Sequence, residues 1–176
     1  MTIVILTGFM GTGKTSIGTR LAARLTAPFV DTDALVERTA GRRVADIFAS
    51  DGEAAFRVAE RRAIAEALAV PGAVVATGGG AVVDPATRAS LKAAAPLVCL
   101  TARPDVILAR TRGAGPTRPL LQGEDPAVRI AALLAARADA YASADLTLDT
   151  SDRGLDACVA AIAAFLHRPA ASESPT

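Results

Sequence analysis

Residues 6–16 read LTGFMGTGKTS, and this stretch decides the fold. Gly8, Gly13, Lys14 and Thr15 fit the spacing of a phosphate loop, G-x-x-x-x-G-K-[ST]. The apolar run before the motif predicts a buried strand, and the residues from Lys14 onward predict a helix, which is the context that the motif requires. Inward-facing backbone N–H groups and the positive end of the helix bind phosphate in such loops. The sequence therefore predicts a nucleoside triphosphate site, but it leaves the phosphate acceptor open.

Short apolar segments alternate with helical segments along the rest of the chain. Strands are expected at residues 2–8, 28–33, 72–80, 95–102 and 144–151. Helices are expected at residues 14–25, 34–70, 85–94, 104–111, 126–142 and 154–167, with interruptions near Gly41 and near Asp51-Gly52. This alternation is typical of an α/β fold in which helices cover both faces of a parallel sheet.

Size and charge limit the class of protein. The 176 residues are enough for one domain with its own core, and the net charge of +1 argues against a general nucleic-acid or membrane-surface role. Cys99 and Cys158 lie in apolar runs without metal-ligand spacing, so we expect reduced core thiols in a cytoplasmic protein. The first apolar run is too short for a secretion signal, and no segment approaches the length of a membrane span.

Asp31 and Asp33 are the first candidates for an acceptor site. They are two residues apart at the end of the predicted second strand, so their side chains would point the same way if the strand persisted. The carboxyl ends of parallel strands form the ligand-binding edge of such sheets. We expect one carboxylate near a metal ion and the other near an acceptor hydroxyl. The alternative is that both are turn or helix-capping aspartates. Their position at the ligand-binding edge of the sheet argues against it.

Two arginines lie on apolar helical stripes. Arg57 aligns with Ile64 and has Glu60 three residues further on, while Arg137 aligns with Ile130. A single such arginine would more often form a weak surface ion pair. Two of them in a nucleotide-binding chain indicate an anion pocket, because the planar guanidinium suits a carboxylate.

Glycines mark two further segments. Gly78–Gly80 follow the third strand, where P-loop ATPases typically carry a metal-supporting Asp, and they would let the backbone approach a ligand closely. A flexible turn is the alternative. Residues 112–126 read RGAGPTRPLLQGEDP, and a connection of that length is usually functional or disordered. The D-x-x-G and N-K-x-D motifs of switch GTPases are absent from the sequence.

In combination, these residues resemble the shikimate kinase family over roughly residues 2–167. The resemblance rests on the phosphate loop Gly8–Thr15, on Asp31 and Asp33, on FRVAE with Arg57 and Glu60, on Gly78–Gly80, on RPLL with Arg118, and on Arg137 followed by Tyr141. It implies a nucleoside-monophosphate-kinase-like P-loop fold, with a five-stranded parallel sheet ordered 2-3-1-4-5 and a mobile lid. It also implies transfer of the ATP γ-phosphate to the 3-hydroxyl of shikimate, giving shikimate 3-phosphate and ADP on the route to chorismate and the aromatic amino acids.

The resemblance further assigns roles to individual residues. Lys14, Asp33 and Arg118 are expected to be catalytic, with Asp33 as the candidate base. The expected ATP-binding residues are Gly11, Thr12, Gly13, Lys14, Thr15, Ser16, Arg110, Arg118 and Arg153, of which Arg110 and Arg153 flank adenine. The expected shikimate-binding residues are Asp33, Arg57, Glu60, Gly79, Gly80 and Arg137. Thr15 and Asp31 are expected to support Mg²⁺, Arg57 and Arg137 to hold the substrate carboxylate, and Glu60 to position Arg57.

The same resemblance predicts one cytoplasmic, monomeric kinase domain over residues 1–168, with ATP and shikimate as its partners. The shikimate-binding region is expected at about 33–61, the lid at about 112–124, and a disordered tail at 169–176. Three alternatives stay open: a related gluconate kinase, an ATP-binding regulatory module that has lost transfer activity, and an ATPase switch. Intact Lys14, Thr15, Asp33 and Arg118 argue against the regulatory module, and the triple glycine argues against the switch.

Overall fold

The computed structural model describes residues 1–112 and 125–167. Five strands form one sheet: β1 (Val4–Gly8), β2 (Phe29–Asp31), β3 (Val74–Ala76), β4 (Leu97–Thr101) and β5 (Leu146–Asp149). Their order is β2-β3-β1-β4-β5, and each neighbouring pair is parallel. The predicted sheet order is confirmed.

Helices fill the connections between the strands. They are α1 (Lys14–Leu25), α2 (Thr32–Ala40), α3 (Val44–Leu68), α4 (Pro85–Ala94), α5 (Pro104–Thr111), α6 (Pro126–Ala136), α7 (Ala138–Ala142) and α8 (Leu155–Leu166), with a 3₁₀ turn at Ala81–Val83. In the described parts of the chain, no helix is both long and apolar enough to cross a bilayer.

The core divides into two clusters, one on each face of the sheet. Ile5 and Val75 belong to the cluster that includes residues of α3 and α4, whereas Leu6 and Val74 belong to the cluster that includes residues of α1 and α8. Successive side chains of a strand point to opposite faces, which explains why adjacent residues enter different clusters. The two cysteines are free and buried, as predicted.

The predicted interruptions of residues 34–70 are confirmed. The α2 helix ends at Gly41, which adopts a left-handed conformation with φ 64°, and α3 is broken at Gly52 with φ 82° and ψ 175°.

The single helix predicted over 126–142 is wrong in one respect. Arg137, with φ −108° and ψ 1°, separates α6 from α7.

The second strand ends earlier than predicted. It stops at Asp31, and α2 begins at Thr32, so Asp33 lies in the first helical turn instead of continuing a strand. The Asp31 side chain causes this change, because its Oδ1 accepts the N–H groups of Asp33 at 3.0 Å and Ala34 at 3.4 Å. The first N–H groups of a helix have no partner within the helix, and a carboxylate that accepts hydrogen bonds from them favours a helix that begins at the next residue.

Three segments meet at the carboxyl edge of the sheet. The phosphate loop follows β1, the Asp31–Asp33 segment closes β2, and Gly78–Gly80 follow β3. Because β3 lies between β1 and β2, the Gly78–Gly80 segment is flanked by the phosphate loop on one side and by the Asp31–Asp33 segment on the other. The predicted lid beyond Arg112, with Arg118, and the predicted tail at 169–176 lie outside the described residues.

Candidate active site

The phosphate loop is held in its bent shape by glycines. Gly8 has φ 132°, and a Cβ at this position would lie 2.1 Å from the carbonyl oxygen of Leu100. Gly13, the residue before α1, has φ 95°. The Lys14 ammonium folds back over the loop and donates to the carbonyl oxygens of Gly8 at 2.8 Å and Phe9 at 3.0 Å. The lysine is therefore placed above the hollow of the loop, where phosphate would bind.

A cleft of about 480 Å³ opens at the carboxyl edge of the sheet. Its phosphate-loop wall includes Gly11, Gly13, Lys14, Thr15 and Ser16. The remaining wall includes Asp31, Asp33, Glu37, Val44, Phe48, Phe56, Arg57, Glu60, Gly78, Gly79, Gly80 and Arg137. The structure thus brings both predicted halves of the site, the phosphate side and the acceptor side, into one cavity.

Thr15 and Asp31 form an oxygen-rich pair at the start of α1. The Thr15 hydroxyl lies 2.9 Å from Asp31 Oδ2, while Asp31 Oδ1 is occupied by the capping bonds. Within residues 1–112 and 125–167, no group of three or more His, Cys, Asp or Glu side chains is arranged to hold a metal ion. A hydroxyl and one carboxylate oxygen suit a Mg²⁺ ion that takes its other ligands from phosphates and water.

Asp33 is half-buried in the cleft between the phosphate loop and the acceptor wall. Its Oδ1 receives no hydrogen bond from the described residues, and neither does Oε1 of Glu60. Both oxygens face Gly78, where a Cβ would lie 2.9 Å from Asp33 Oδ1 and 2.7 Å from Glu60 Oε1. Burial, followed by the negative charge of Asp31, raises the pKa of Asp33 to about 6, against the opposing effect of Lys14. Asp33 therefore lines the cleft with a carboxylate that keeps its proton to a higher pH than an ordinary aspartate.

Arg57 is held by two glutamates on the same helix. Its Nη1 donates to Glu60 Oε2 at 2.7 Å, and its Nη2 donates to Glu53 Oε1 at 2.9 Å. Glu60 is only 3% exposed, so it fixes the guanidinium from inside the fold, as predicted from the sequence spacing. The guanidinium lies against Gly80, where a Cβ would come within 2.7 Å of Nη1.

Glu53 is a partner of Arg57 that was not predicted from the sequence. The signal was present, because Glu53 and Arg57 are spaced i, i+4 on a helix. The apolar wall was not predicted either; in it, the ring centroids of Phe48 and Phe56 lie 4.5 Å apart. Together with Val44, these rings give the cleft a surface suited to the carbon skeleton of a ligand.

Arg137 closes the acceptor side of the cleft from the break between α6 and α7. It is 9% exposed, and its guanidinium carbon lies 5.5 Å from the centroid of the Phe9 ring. One turn later, the Tyr141 hydroxyl donates to the carbonyl oxygen of Gly79 at 2.8 Å and so steadies the glycine segment. Arg137 and Arg57 both line the cleft, which gives it two positive charges for an anion.

Among the residues that the structure describes, three of those predicted to bind nucleotide lie outside the cleft lining. Thr12, a residue of the phosphate loop, is fully buried, and Arg153 is exposed on the segment between β5 and α8. Arg110 donates to the carbonyl oxygens of Gly11 at 3.3 Å and Thr150 at 2.8 Å, which places it beside the loop. The described structure therefore puts Arg110 close to the phosphate loop but does not join Arg153 to it.

Comparisons with known proteins agree on one family. The family model for shikimate kinase matches residues 10–167. A shikimate kinase of Symbiobacterium thermophilum is 48% identical over 161 residues, which cover 90% of this chain and 92% of that protein. The shikimate kinase of Geobacter sulfurreducens is 47% identical, with 93% and 90% covered.

Solved structures give the same result. A structure of shikimate kinase from Acinetobacter baumannii in complex with shikimate superposes with a TM-score of 0.88 at 34% identity, covering 93% of this chain and 91% of that one. A gluconokinase from Sinorhizobium meliloti superposes with a TM-score of only 0.59 at 19% identity, covering 94% and 91%, and this likeness concerns the fold alone.

Proposed function

The chain belongs to the shikimate kinase family, and from this premise we propose which of its residues carry out the reaction. The chain is an ATP-dependent kinase that transfers the γ-phosphate of ATP to the 3-hydroxyl of shikimate. The products are shikimate 3-phosphate and ADP, on the route to chorismate and the aromatic amino acids. The observation that supports our assignment of residues is the single cleft that a phosphate loop shares with Asp33, Arg57 and Arg137.

Arg57 and Arg137 bind the carboxylate of shikimate. Two guanidinium groups in a half-buried pocket can each offer paired N–H donors to a planar anion. Glu60 keeps Arg57 in place from within the core, and Gly80 leaves room for that guanidinium. The backbone of Gly79 and Gly80 borders the same pocket and contributes further contacts to the substrate. The carboxylate thus acts as an anchor that fixes the orientation of the ring.

Asp33 accepts the proton of the 3-hydroxyl. Asp33 lines the cleft, and a carboxylate is a natural partner for a hydroxyl donor. Lys14 lies on the phosphate side and stabilises the charge of the transferred group. Phosphoryl transfer needs positioning and charge stabilisation more than covalent help. Arg118, which lies outside the described residues, is proposed to add a further positive charge to the phosphates.

Mg²⁺ is proposed as the metal cofactor, with Thr15 and Asp31 as the protein side of its shell. Their oxygen atoms are the hard ligands that this ion prefers. When bound, the ion would neutralise part of the negative charge on the phosphates. Gly11, Thr12, Gly13 and Ser16 complete the phosphate side of the ATP site.

Arg110 and Arg153 are proposed to flank adenine. The chain is further proposed to act as a cytoplasmic monomer with one kinase domain over residues 1–168. Within it, residues 33–61 form the shikimate-binding region and residues 112–124 the lid.

An assay over a panel of acceptors tests this function. The purified chain is incubated with Mg²⁺–ATP and with shikimate, quinate or gluconate, and ADP release is followed by a coupled reaction. We expect the highest kcat/KM with shikimate and a much lower value with the other two. Fastest turnover with gluconate would favour the related gluconate kinase, and ADP release that no acceptor increases would favour an ATPase.

A further inference from the structure

Thr150 occupies the junction of the phosphate loop, two strand ends and Arg110, yet it does not line the cleft. It follows β5 directly and is 2% exposed. We propose that Thr150 is a positioning residue for nucleotide binding, whose hydroxyl fixes the orientation of a phosphate-loop peptide. The proposal rests on the kinase function proposed above, and it adds a residue that neither the phosphate-loop motif nor the acceptor site includes.

The Thr150 hydroxyl lies 3.0 Å from each of three partners. These are the carbonyl oxygen of Thr12, the carbonyl oxygen of Thr101 and Nη1 of Arg110. A hydroxyl has one proton to donate and two lone pairs to accept with. Arg110 has only donors, so the hydroxyl accepts from Arg110 and gives its own proton to one of the two carbonyl oxygens.

The proton is needed more at Thr12 than at Thr101. The carbonyl oxygen of Thr101 already accepts the backbone N–H of Thr150 at 2.9 Å. Thr12, in contrast, is fully buried, and leaving its carbonyl oxygen without a donor would cost free energy. With the proton donated to Thr12, each of the three partners takes part in at least one hydrogen bond: the Thr12 carbonyl with the Thr150 hydroxyl, the Thr101 carbonyl with the Thr150 N–H, and Arg110 with the Thr150 hydroxyl.

This bond determines where the next N–H group of the loop points. In a trans peptide, the C=O of one residue and the N–H of the following residue point in opposite directions. When the Thr12 carbonyl is held on Thr150, the Gly13 N–H is turned away from Thr150. Gly13 lines the cleft on the phosphate side. The Thr150 hydroxyl thus helps to keep an anion-binding N–H in place before nucleotide arrives.

Arg110 reinforces the same arrangement. Its guanidinium contacts Thr150 through both the hydroxyl and the carbonyl oxygen, and it reaches the carbonyl oxygen of Gly11 at 3.3 Å. Thr150 therefore holds two groups at once, a phosphate-loop peptide and the arginine beside it. Loss of the hydroxyl should weaken nucleotide binding without touching the acceptor wall.

Four proteins test the proposal: the wild type, Thr150→Val, Thr150→Ser and Thr101→Val. Valine keeps the branched shape of threonine and removes the hydroxyl, whereas serine keeps the hydroxyl. Thr101→Val is the matched control, because its hydroxyl at the end of the neighbouring strand contacts the carbonyl oxygen of Leu148 at 3.4 Å. Binding of ADP with Mg²⁺ is measured by calorimetry, and the KM values for ATP and shikimate are measured in the coupled assay.

We expect Thr150→Val to raise the ADP dissociation constant and the ATP KM about tenfold, with the shikimate KM changed by less than about twofold. Thr150→Ser and Thr101→Val should stay close to the wild type. An unchanged ADP dissociation constant in Thr150→Val, or an equal rise of both KM values, would overturn the proposal. If Thr150→Val does not fold, Thr150→Ala replaces it, and failure of both to fold would assign Thr150 a structural role only.

The calorimetric measurement of ADP binding distinguishes a failure of this proposal from a failure of the proposed function. If the wild type bound ADP but did not phosphorylate shikimate, the kinase function would fail while the Thr150 comparison could still be made. If shikimate were phosphorylated and Thr150→Val bound ADP normally, only the positioning role would fail.

Discussion

Asp33→Asn should stabilise the folded protein at neutral pH while it removes activity. Burial and the neighbouring carboxylates raise the pKa of Asp33 from 3.8 to about 6, so the ionised side chain is more costly in the folded state than in the unfolded chain. The direction of the pH dependence of stability follows from proton linkage. This cost is absent below about pH 4, grows as the pH rises through 6, and is complete above about pH 7.

The magnitude can be taken from the same difference in pKa. A rise from 3.8 to about 6 corresponds to about 3 kcal/mol of lost stability at neutral and higher pH. An asparagine has nearly the same shape and carries no charge, so it should recover up to this amount. Activity should nevertheless fall severely, because an amide cannot accept the proton of the acceptor hydroxyl.

Urea unfolding of the wild type and of Asp33→Asn between pH 4 and 8 measures the effect, in buffer without metal ions or nucleotide. Asp139→Asn is the matched control, because Asp139 also lies in the first turn of a helix, α7, but is exposed. We expect Asp33→Asn to gain up to about 3 kcal/mol at pH 8 and almost nothing at pH 4, and the control to gain nothing at either pH. Lower stability of Asp33→Asn at pH 8, or an equal gain at pH 4, would refute the reasoning.

Four further substitutions probe the two sides of the cleft. Arg57→Ala and Arg137→Ala should each raise the shikimate KM roughly tenfold to a hundredfold with little change in the ATP KM, and a change confined to ATP would move that arginine to the nucleotide side. Lys14→Ala should abolish transfer with little change in melting temperature, and near-normal kcat in the folded variant would exclude its role at the phosphates. Gly80→Ala should raise the shikimate KM, because a Cβ would come within 2.7 Å of the Arg57 guanidinium. Gly154→Ala, where a Cβ meets nothing within 4 Å, serves as its control, and equal kinetics in both would contradict this packing argument.

The sequence predicted those parts of the structure that depend on local patterns. The phosphate loop was found because its glycines, lysine and threonine have a fixed spacing between a strand and a helix. The Arg57–Glu60 pair was found because residues three apart meet on one helix face, and the pair is present at 2.7 Å.

Features that depend on competition between local interactions were harder to predict. The end of β2 was misplaced because capping by Asp31 starts α2 at Thr32, a preference that outweighs continuation of the strand. The break at Arg137 was missed because the apolar pattern continues across it. Thr150 carries no sequence signal at all, since its importance arises from the sheet order that places β5 near the phosphate loop.

The claim that Arg57 and Arg137 anchor the shikimate carboxylate is tested most directly by comparing shikimate with its methyl ester. The ester keeps the ring hydroxyls and removes the negative charge. Values of kcat/KM are measured for both compounds with the wild type, Arg57→Ala and Arg137→Ala. We expect the wild type to prefer the acid by roughly a hundredfold, and each arginine variant to lose most of that preference. The same acid-to-ester ratio in all three proteins would contradict the account, because the carboxylate would then be bound elsewhere.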